Sequence, residues 1–361
     1  MRFVRSLFGF YLSVPLLFIT LFAAACASST TPTPVPPTED PPQISCPAPQ
    51  TIQLTSGTSA SVTFTPTTTK GKAPVAVTCA PLSGSPFNVG TTTVNCSATD
   101  ALQRTAPCTF TVTVLAVVPP PVLSATTFVA FGDSITRGED GIDGPPTPAC
   151  SSVATARLQF GPRVILPDAQ TYPGQLQQML IARYKVQTPS VDNQGCPGEA
   201  LNDQATTTEV DPLTRFDRLI ASRRYESVLI MEGSNDMLLA TKDSHKLGSA
   251  LVVLRQMVGD AKSRGLKPLL ATIPPMNPAG VRAGGAAVVP DFNIGVKGIA
   301  QAESVPLVDV NAAFNNNFSL IGADGLHPTA AGYTVIASAF ADAIKNNLEL
   351  KTSVVTTLRR R

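Results

Sequence analysis

Three consecutive prolines, Pro119-Pro120-Pro121, cut the 361-residue chain into two parts whose hydrophobic periods differ. Before them, Thr and Val crowd short runs in which polar and apolar residues alternate, as in Ser61-Val62-Thr63-Phe64 and Cys108-Thr109-Phe110-Thr111-Val112-Thr113-Val114. A period of two with β-branched residues predicts half-buried strands, and turn signals such as Ser83-Gly84-Ser85-Pro86 separate them. After the prolines, short apolar strands at residues 127–131, 186–191, 227–231, 268–273 and 306–310 alternate with helical segments at 172–184, 212–222, 245–262, 291–303 and 330–346. Within residues 245–262, Leu247, Leu251, Leu254 and Val258 recur at helical spacing. The chain is therefore expected to fold as a small all-β sandwich followed by an α/β domain whose parallel sheet is covered on both faces. Ligand sites in such sheets form in loops beyond the carboxyl ends of the strands.

The N-terminus predicts export. Arg2 and Arg5 precede an apolar run from Leu7 to Ala25 that ends in small residues before Cys26. This stretch resembles a bacterial lipoprotein signal, although Ala23 stands where Leu is commoner; the resemblance implies cleavage after residue 25 and a lipid on Cys26. An ordinary cleaved signal and an uncleaved anchor are the alternatives. Eight prolines between Thr31 and Pro49 favour an extended tether. The expected address is a membrane-anchored lipoprotein at the cell surface or in the periplasm, or a secreted protein if Cys26 carries no lipid. Without Cys26, six cysteines remain, an even number suited to an oxidising compartment. Cys46, Cys79, Cys96 and Cys108 predict two bridges of open connectivity in the sandwich, and Cys150 with Cys196 predicts one in the second domain. No CxxC occurs, and His245 and His327 lie far from the cysteines, which argues against a zinc site. A net charge of +2 leaves no broad basic field for nucleic acid.

Unusual residues cluster where the predicted strands end. Phe131-Gly132-Asp133-Ser134-Ile135-Thr136 follows the first, Asn193-Gln194-Gly195-Cys196-Pro197-Gly198-Glu199 the second and Glu232-Gly233-Ser234-Asn235-Asp236 the third, while Asp324-Gly325-Leu326-His327-Pro328 precedes the last helix. Singly, each reads as a turn or a helix cap. Together they contain the parts of nucleophilic catalysis. A serine hydroxyl needs a base to attack an ester at neutral pH, and an imidazole has a suitable pKa. The expected constellation is Ser134 as nucleophile, His327 as base and Asp324 on the second ring nitrogen, with Ser134 N–H, Gly198 N–H and the Asn235 amide as oxyanion donors. Asp133 and Asp236 are expected to brace their loops through backbone hydrogen bonds. His245 reads as a solvated helix start. Glu199 and Glu232 offer a rival pair of the glycosidase kind, with no separation defined.

The four blocks resemble those of the GDSL or SGNH esterases and lipases across residues 126–347, with the name residues at Ser134, Gly198, Asn235 and His327. The resemblance implies a flavodoxin-like three-layer α/β/α sandwich and metal-free, cofactor-free hydrolysis of O-acetyl, thioester or acyl groups through an acyl-enzyme. Residues 45–118, including Val77-Thr78-Cys79-Ala80-Pro81 and Thr91-Thr92-Thr93-Val94-Asn95-Cys96, resemble a hyalin-repeat module, an immunoglobulin-like sandwich associated with adhesion. Lys70, Lys72, Asp100 and Arg104 are the only charged residues in that span, so it reads as a spacer or as a surface contacting a partner. The expected domains are a signal at 1–25, a Pro/Thr-rich linker at 26–44, the hyalin-repeat sandwich at 45–118, a Pro-rich linker at 119–125, the hydrolase at 126–347 and a solvated tail at 348–361. The expected partners are an ester substrate, with acetylated polysaccharide favoured, the membrane through Cys26 and a surface partner of the sandwich. The alternative is a surface adhesion or binding protein whose hydrolase-like domain is an inactive scaffold. Two segments are expected around the site: a long one at 138–168, which a Cys150–Cys196 bridge would staple to the Gly195–Gly198 loop, and a Pro/Gly/Ala-rich rim or lid at 274–289.

Overall fold

The computed structural model describes residues 39–144, 163–202, 211–240 and 244–351. The chain divides into two compact units between Val117 and Val118.

The first unit is all strand: β1 (Gln43–Ser45), β2 (Gln50–Gln53), β3 (Ser59–Ser61), β4 (Thr67–Thr69), β5 (Ala76–Ala80), β6 (Pro86–Asn88), β7 (Gly90–Thr99) and β8 (Thr105–Leu115). They form a four-stranded sheet in the order β2-β8-β7-β5 and two two-stranded sheets, β1-β4 and β3-β6. The period of two does its expected work. Val94, Cys96 and Ala98 of β7 and Phe110, Val112 and Val114 of β8 are buried, while between them Asn95 is exposed and Ser97, Thr111 and Thr113 are half-buried. Phe64 meets Phe87 and Phe110 edge to face. The two bridges pair Cys46 with Cys108 and Cys79 with Cys96.

The second unit alternates strand and helix. Its strands are β9 (Thr127–Gly132), β10 (Glu139–Asp143), β11 (Arg163–Ile165), β12 (Ser190–Gly195), β13 (Ser227–Met231), β14 (Lys267–Ala271) and β15 (Leu307–Val308). Its helices are α1 (Ser134–Arg137), α2 (Tyr172–Arg183), α3 (Pro212–Ala221), α4 (Ser234–Ala240), α5 (Ser244–Ser263), α6 (Val289–Glu303), α7 (Val310–Phe314) and α8 (Ala330–Leu348). Five strands form one parallel sheet, β12-β9-β13-β14-β15. A parallel sheet must be covered on both faces, so its central strands read as continuous apolar runs. Phe128 to Phe131, Val228 to Met231 and Leu269 to Ala271 are accordingly all buried. Helix α2 packs on α8, where Tyr172 stacks on Phe340, and α3 and α6 each pack on α5. The result is the expected three-layer α/β/α sandwich.

One strand lies elsewhere than its sequence suggests. Residues 186–191 are not the second strand; β12 begins at Ser190, and Val186 is exposed in the turn after α2. Ser-Val-Asp-Asn-Gln-Gly has little intrinsic strand preference. As the edge strand of the sheet, β12 is held by its ladder to β9. Asn193, Gln194 and Gly195 are therefore strand residues rather than the start of a loop.

Register aligns the strand ends. Gly132 lies opposite Gly195 on one side and Met231 on the other, so β9, β12 and β13 finish level and their following loops emerge side by side. This junction requires glycine. A Cβ on Gly132 would lie 2.2 Å from the Met231 carbonyl oxygen and 2.1 Å from Thr136 Oγ1, and the carbonyl belongs to a paired strand that cannot retreat. Gly132→Ala is expected to lower unfolding stability by about 3 kcal/mol. Urea denaturation reads this as a lower midpoint; an unchanged midpoint would contradict the close packing described.

Candidate active site

Asp133 caps α1 by accepting the Ile135 N–H at 2.8 Å, which makes Ser134 the first helical residue. The capping role open to Ser134 is thus filled by its neighbour, and the serine hydroxyl turns to another partner. Ser134 Oγ lies 2.8 Å from His327 Nε2, although 193 residues separate the two in sequence. Both side chains are buried.

The turn that presents His327 is organised by Asp324. Its Oδ1 accepts the N–H groups of Leu326 and His327, each at 3.0 Å, the local pattern of an Asx turn. Its Oδ2 lies 2.6 Å from His327 Nδ1. An ionised carboxylate only accepts, so Nδ1 carries the proton and donates it, leaving the Nε2 lone pair for the Ser134 hydroxyl. Burial alone would raise the Asp324 pKa, but hydrogen bonds from the His327 ring and the two amides outweigh it and hold the carboxyl well below its usual range. Burial lowers the His327 pKa below 6.5, and the Arg282 and Arg163 charges push the same way against Asp324. The imidazole is therefore neutral near pH 7, the state a base requires.

Three charged residues at this site went unread in the sequence. Glu139 Oε2 lies 3.4 Å from His327 Nε2, and Arg163 Nε lies 3.6 Å from Asp324 Oδ2. Both belong to the ends of the 138–168 segment, in β10 and β11, which pair antiparallel. Gly141, at φ +81°, lets β10 pass so close to Asp324 that a Cβ would sit 2.7 Å from Oδ1. The third is Arg282, whose N–H donates to the Asp324 carbonyl at 2.7 Å. Asn277 N–H donates likewise to the Gly325 carbonyl at 2.8 Å. The 274–289 segment thus packs on the turn that carries His327. Its only sequence signal was an unusual Pro/Gly/Ala content.

The other side of Ser134 is built from the β12 and β13 exits. Cys196-Pro197-Gly198-Glu199 is a turn closed by Glu199 N–H to the Cys196 carbonyl at 3.1 Å, with Gly198 at φ +77°. Proline second and a left-handed glycine third define a type II turn. One N–H of the Asn235 amide donates to the Glu199 carbonyl at 2.8 Å. Asp236 accepts from the backbone of Leu201 and Asn202 at 2.7 and 2.9 Å, the bracing expected of it. These bonds tie the Gly198 loop to α4.

The rival carboxylate pair is not poised for glycosidase chemistry. Arg215 grips both oxygens of Glu199, with Nε 2.8 Å from Oε1, and its guanidinium lies 4.0 Å above the Phe131 ring. Glu232 is fully buried, and desolvation, followed by the Asp133 and Glu199 charges, drives its pKa well above the usual range. Burial likewise raises Asp133 to about 6. Neither glutamate reaches open space where a sugar could lie. Cys196 is buried and disulfide-bonded. Cys150 and Cys26 lie outside the described residues, as does the side chain of His245. Among the described residues no cluster of His, Cys, Asp and Glu is arranged to hold a metal ion.

The model of the GDSL-like lipase/acylhydrolase family matches residues 130–335, more than half of the chain. The chain belongs to this family. It is a carboxylic ester hydrolase by class. An HYR domain matches residues 38–114, ahead of the acylhydrolase domain. Similar solved structures include an acetylxylan esterase from Geobacillus stearothermophilus, with 23% identity over 61% of this chain and 94% of that one and a TM-score of 0.44. Another is the lipase/acylhydrolase from Enterococcus faecalis, with 20% identity over 63% of this chain and 99% of that one and a TM-score of 0.47. No curated protein matches the chain. Among the described residues of the acylhydrolase domain and its HYR neighbour, no helix is long and apolar enough to cross a membrane.

Proposed function

We propose that the chain is an exported serine esterase that removes O-acetyl or short acyl groups through an acyl-enzyme on Ser134. The reading rests on one observation, the continuous hydrogen-bonded line from Ser134 Oγ through the His327 ring to Asp324. Attack forms a bond from Ser134 Oγ to the ester carbonyl carbon while its proton passes to His327 Nε2. Asp324 stabilises the resulting imidazolium at Nδ1, and Glu139 faces the newly protonated Nε2. The carbonyl oxygen, now negative, is received by the N–H groups of Ser134 and Gly198 and by the second N–H of the Asn235 amide, donors worth about 3 kcal/mol each in the transition state. Collapse breaks the ester C–O bond, and the departing alcohol takes the proton from Nε2. Water repeats the sequence on the acyl-enzyme, freeing the acid and restoring Ser134.

Export, a lipid on Cys26 and a Cys150–Cys196 staple complete the proposal on the sequence features given above. The surface address and the HYR domain favour acetylated polysaccharide as substrate. The test is a p-nitrophenyl ester series from acetate to decanoate, run on the full-length chain beside acetate release from acetylated xylan and pectin. Acetate is expected to be cleaved fastest, with loss of turnover in His327→Ala. An equal background in both proteins would make the domain a scaffold.

The pH profile follows from the buried imidazole. The depressed His327 pKa means that the active, neutral form dominates above it and is lost only as pH falls through it. A plot of kcat/KM against pH is expected to show an acid limb with its midpoint below 6.5, the ordinary histidine value, and a plateau from there to neutrality. A midpoint at or above 6.5 would remove His327 as the titrating base.

A further inference from the structure

A hollow of about 580 Å³ beside the edge strand β12 takes no part in the chemistry above. Four arginines border it: Arg137 from α1, Arg215 and Arg218 from α3, and Arg224 from the loop after α3. Among the described residues, no carboxylate lines it. Arg215 is neutralised by Glu199, but Arg137, Arg218 and Arg224 pair with no described acid. In a chain with a net charge of only +2, this is a local concentration of positive charge rather than part of a general field. The side-chain amides of Asn193 and Gln194 add uncharged hydrogen-bonding groups to its wall.

Its form distinguishes between kinds of anion. The volume suits a whole small ligand rather than a lone ion. The cations come from α1 and from the α3 region, so they suit charge distributed along a ligand better than one compact centre. A second hollow of about 350 Å³ adjoins the first, shares Arg137 and Asn193 with it, and presents Asp168 and Asp192, acceptors suited to hydroxyl groups. The first hollow also borders Pro197, next to Gly198 in the type II turn, and α1, whose first residue is Ser134.

We propose that this edge cleft binds the uronate carboxylates of an acidic glycan and so holds the sugar chain whose ester groups the enzyme cleaves. Guanidinium groups match carboxylates through paired N–H donors, and the amides and Asp168 and Asp192 engage the sugar hydroxyls. The substrate role rests on the esterase reading, whereas the binding of uronate does not.

Calorimetry on the full-length chain tests it, using an ester-free uronic acid trisaccharide, a neutral xylose trisaccharide and inorganic phosphate. The acidic sugar is expected to bind at least about tenfold more tightly than either of the others, with an affinity that falls as salt is added. Arg218→Ala/Arg224→Ala, which alters two exposed side chains, is expected to weaken binding about tenfold while the melting temperature stays constant. Equal binding of the neutral sugar, tighter binding of phosphate, or no effect of the double substitution would each overturn the assignment. Because the ligand carries no ester, the two readings fail separately. A chain that cleaves p-nitrophenyl acetate yet ignores uronate refutes the cleft, and one that binds uronate yet cleaves no ester refutes the esterase.

Discussion

Ser134→Ala is expected to lower kcat for a short-chain ester by about a millionfold. The size follows from what remains. In the proposed mechanism the backbone N–H groups of Ser134 and Gly198 and the Asn235 amide still bind the oxyanion, but without a hydroxyl on Cβ no covalent step is available and only direct attack by water survives. KM should move little, since the lost oxygen contributes one hydrogen bond, to His327 Nε2 at 2.8 Å. The fold should also persist, because Asp133 rather than Ser134 caps α1. Initial rates on purified wild type and variant, with the near-ultraviolet circular dichroism of both, provide the measurement. A variant keeping a tenth of the wild-type kcat would place the nucleophile elsewhere.

Asp324→Asn should cost about ten-thousandfold in kcat with almost no change of shape. Asparagine can keep Oδ1 on the Leu326 and His327 amides, which preserves the turn. Its NH₂ group then faces His327 Nδ1 and donates to it, so the ring proton moves to Nε2, and the atom that must accept from Ser134 becomes a donor. The imidazolium formed during attack also loses its negative partner. Arg163, 3.6 Å from Asp324 Oδ2, no longer faces a charge there and further disfavours a positive ring. A loss below tenfold, with the turn intact, would mean that Asp324 holds the turn and does little for the base.

The residues of the site that could be read in the sequence share a property: each stands at a strand exit or in a turn whose glycine or proline marks it. Ser134 follows Gly132-Asp133, Gly198 follows Pro197, Asn235 follows Gly233-Ser234, and Asp324 and His327 flank Gly325. The parallel sheet was equally legible, since buried central strands must be continuously apolar. The edge strand β12 was not. Its polar residues carry no strand period, and its position is decided by its ladder to β9, in which Asn193 pairs with Ala130, 63 residues earlier in the chain. Glu139, Arg163 and Arg282 were hidden for a related reason. Their charges look like ordinary solvated ones until folding brings three separate segments onto the Asp324 turn. Asp133 is a subtler case, because Asp and Ser cap helices equally well and only the geometry assigns the cap to one and frees the other.

The central claim is that His327 makes one particular hydroxyl reactive. Its most direct test is the intact mass of the full-length chain after brief exposure to a fluorophosphonate ester, followed by peptide mapping. The account predicts a single adduct on Ser134, none in Ser134→Ala, and labelling slowed at least about hundredfold in His327→Ala. Labelling of another residue, or labelling of Ser134 at full rate without His327, would contradict it.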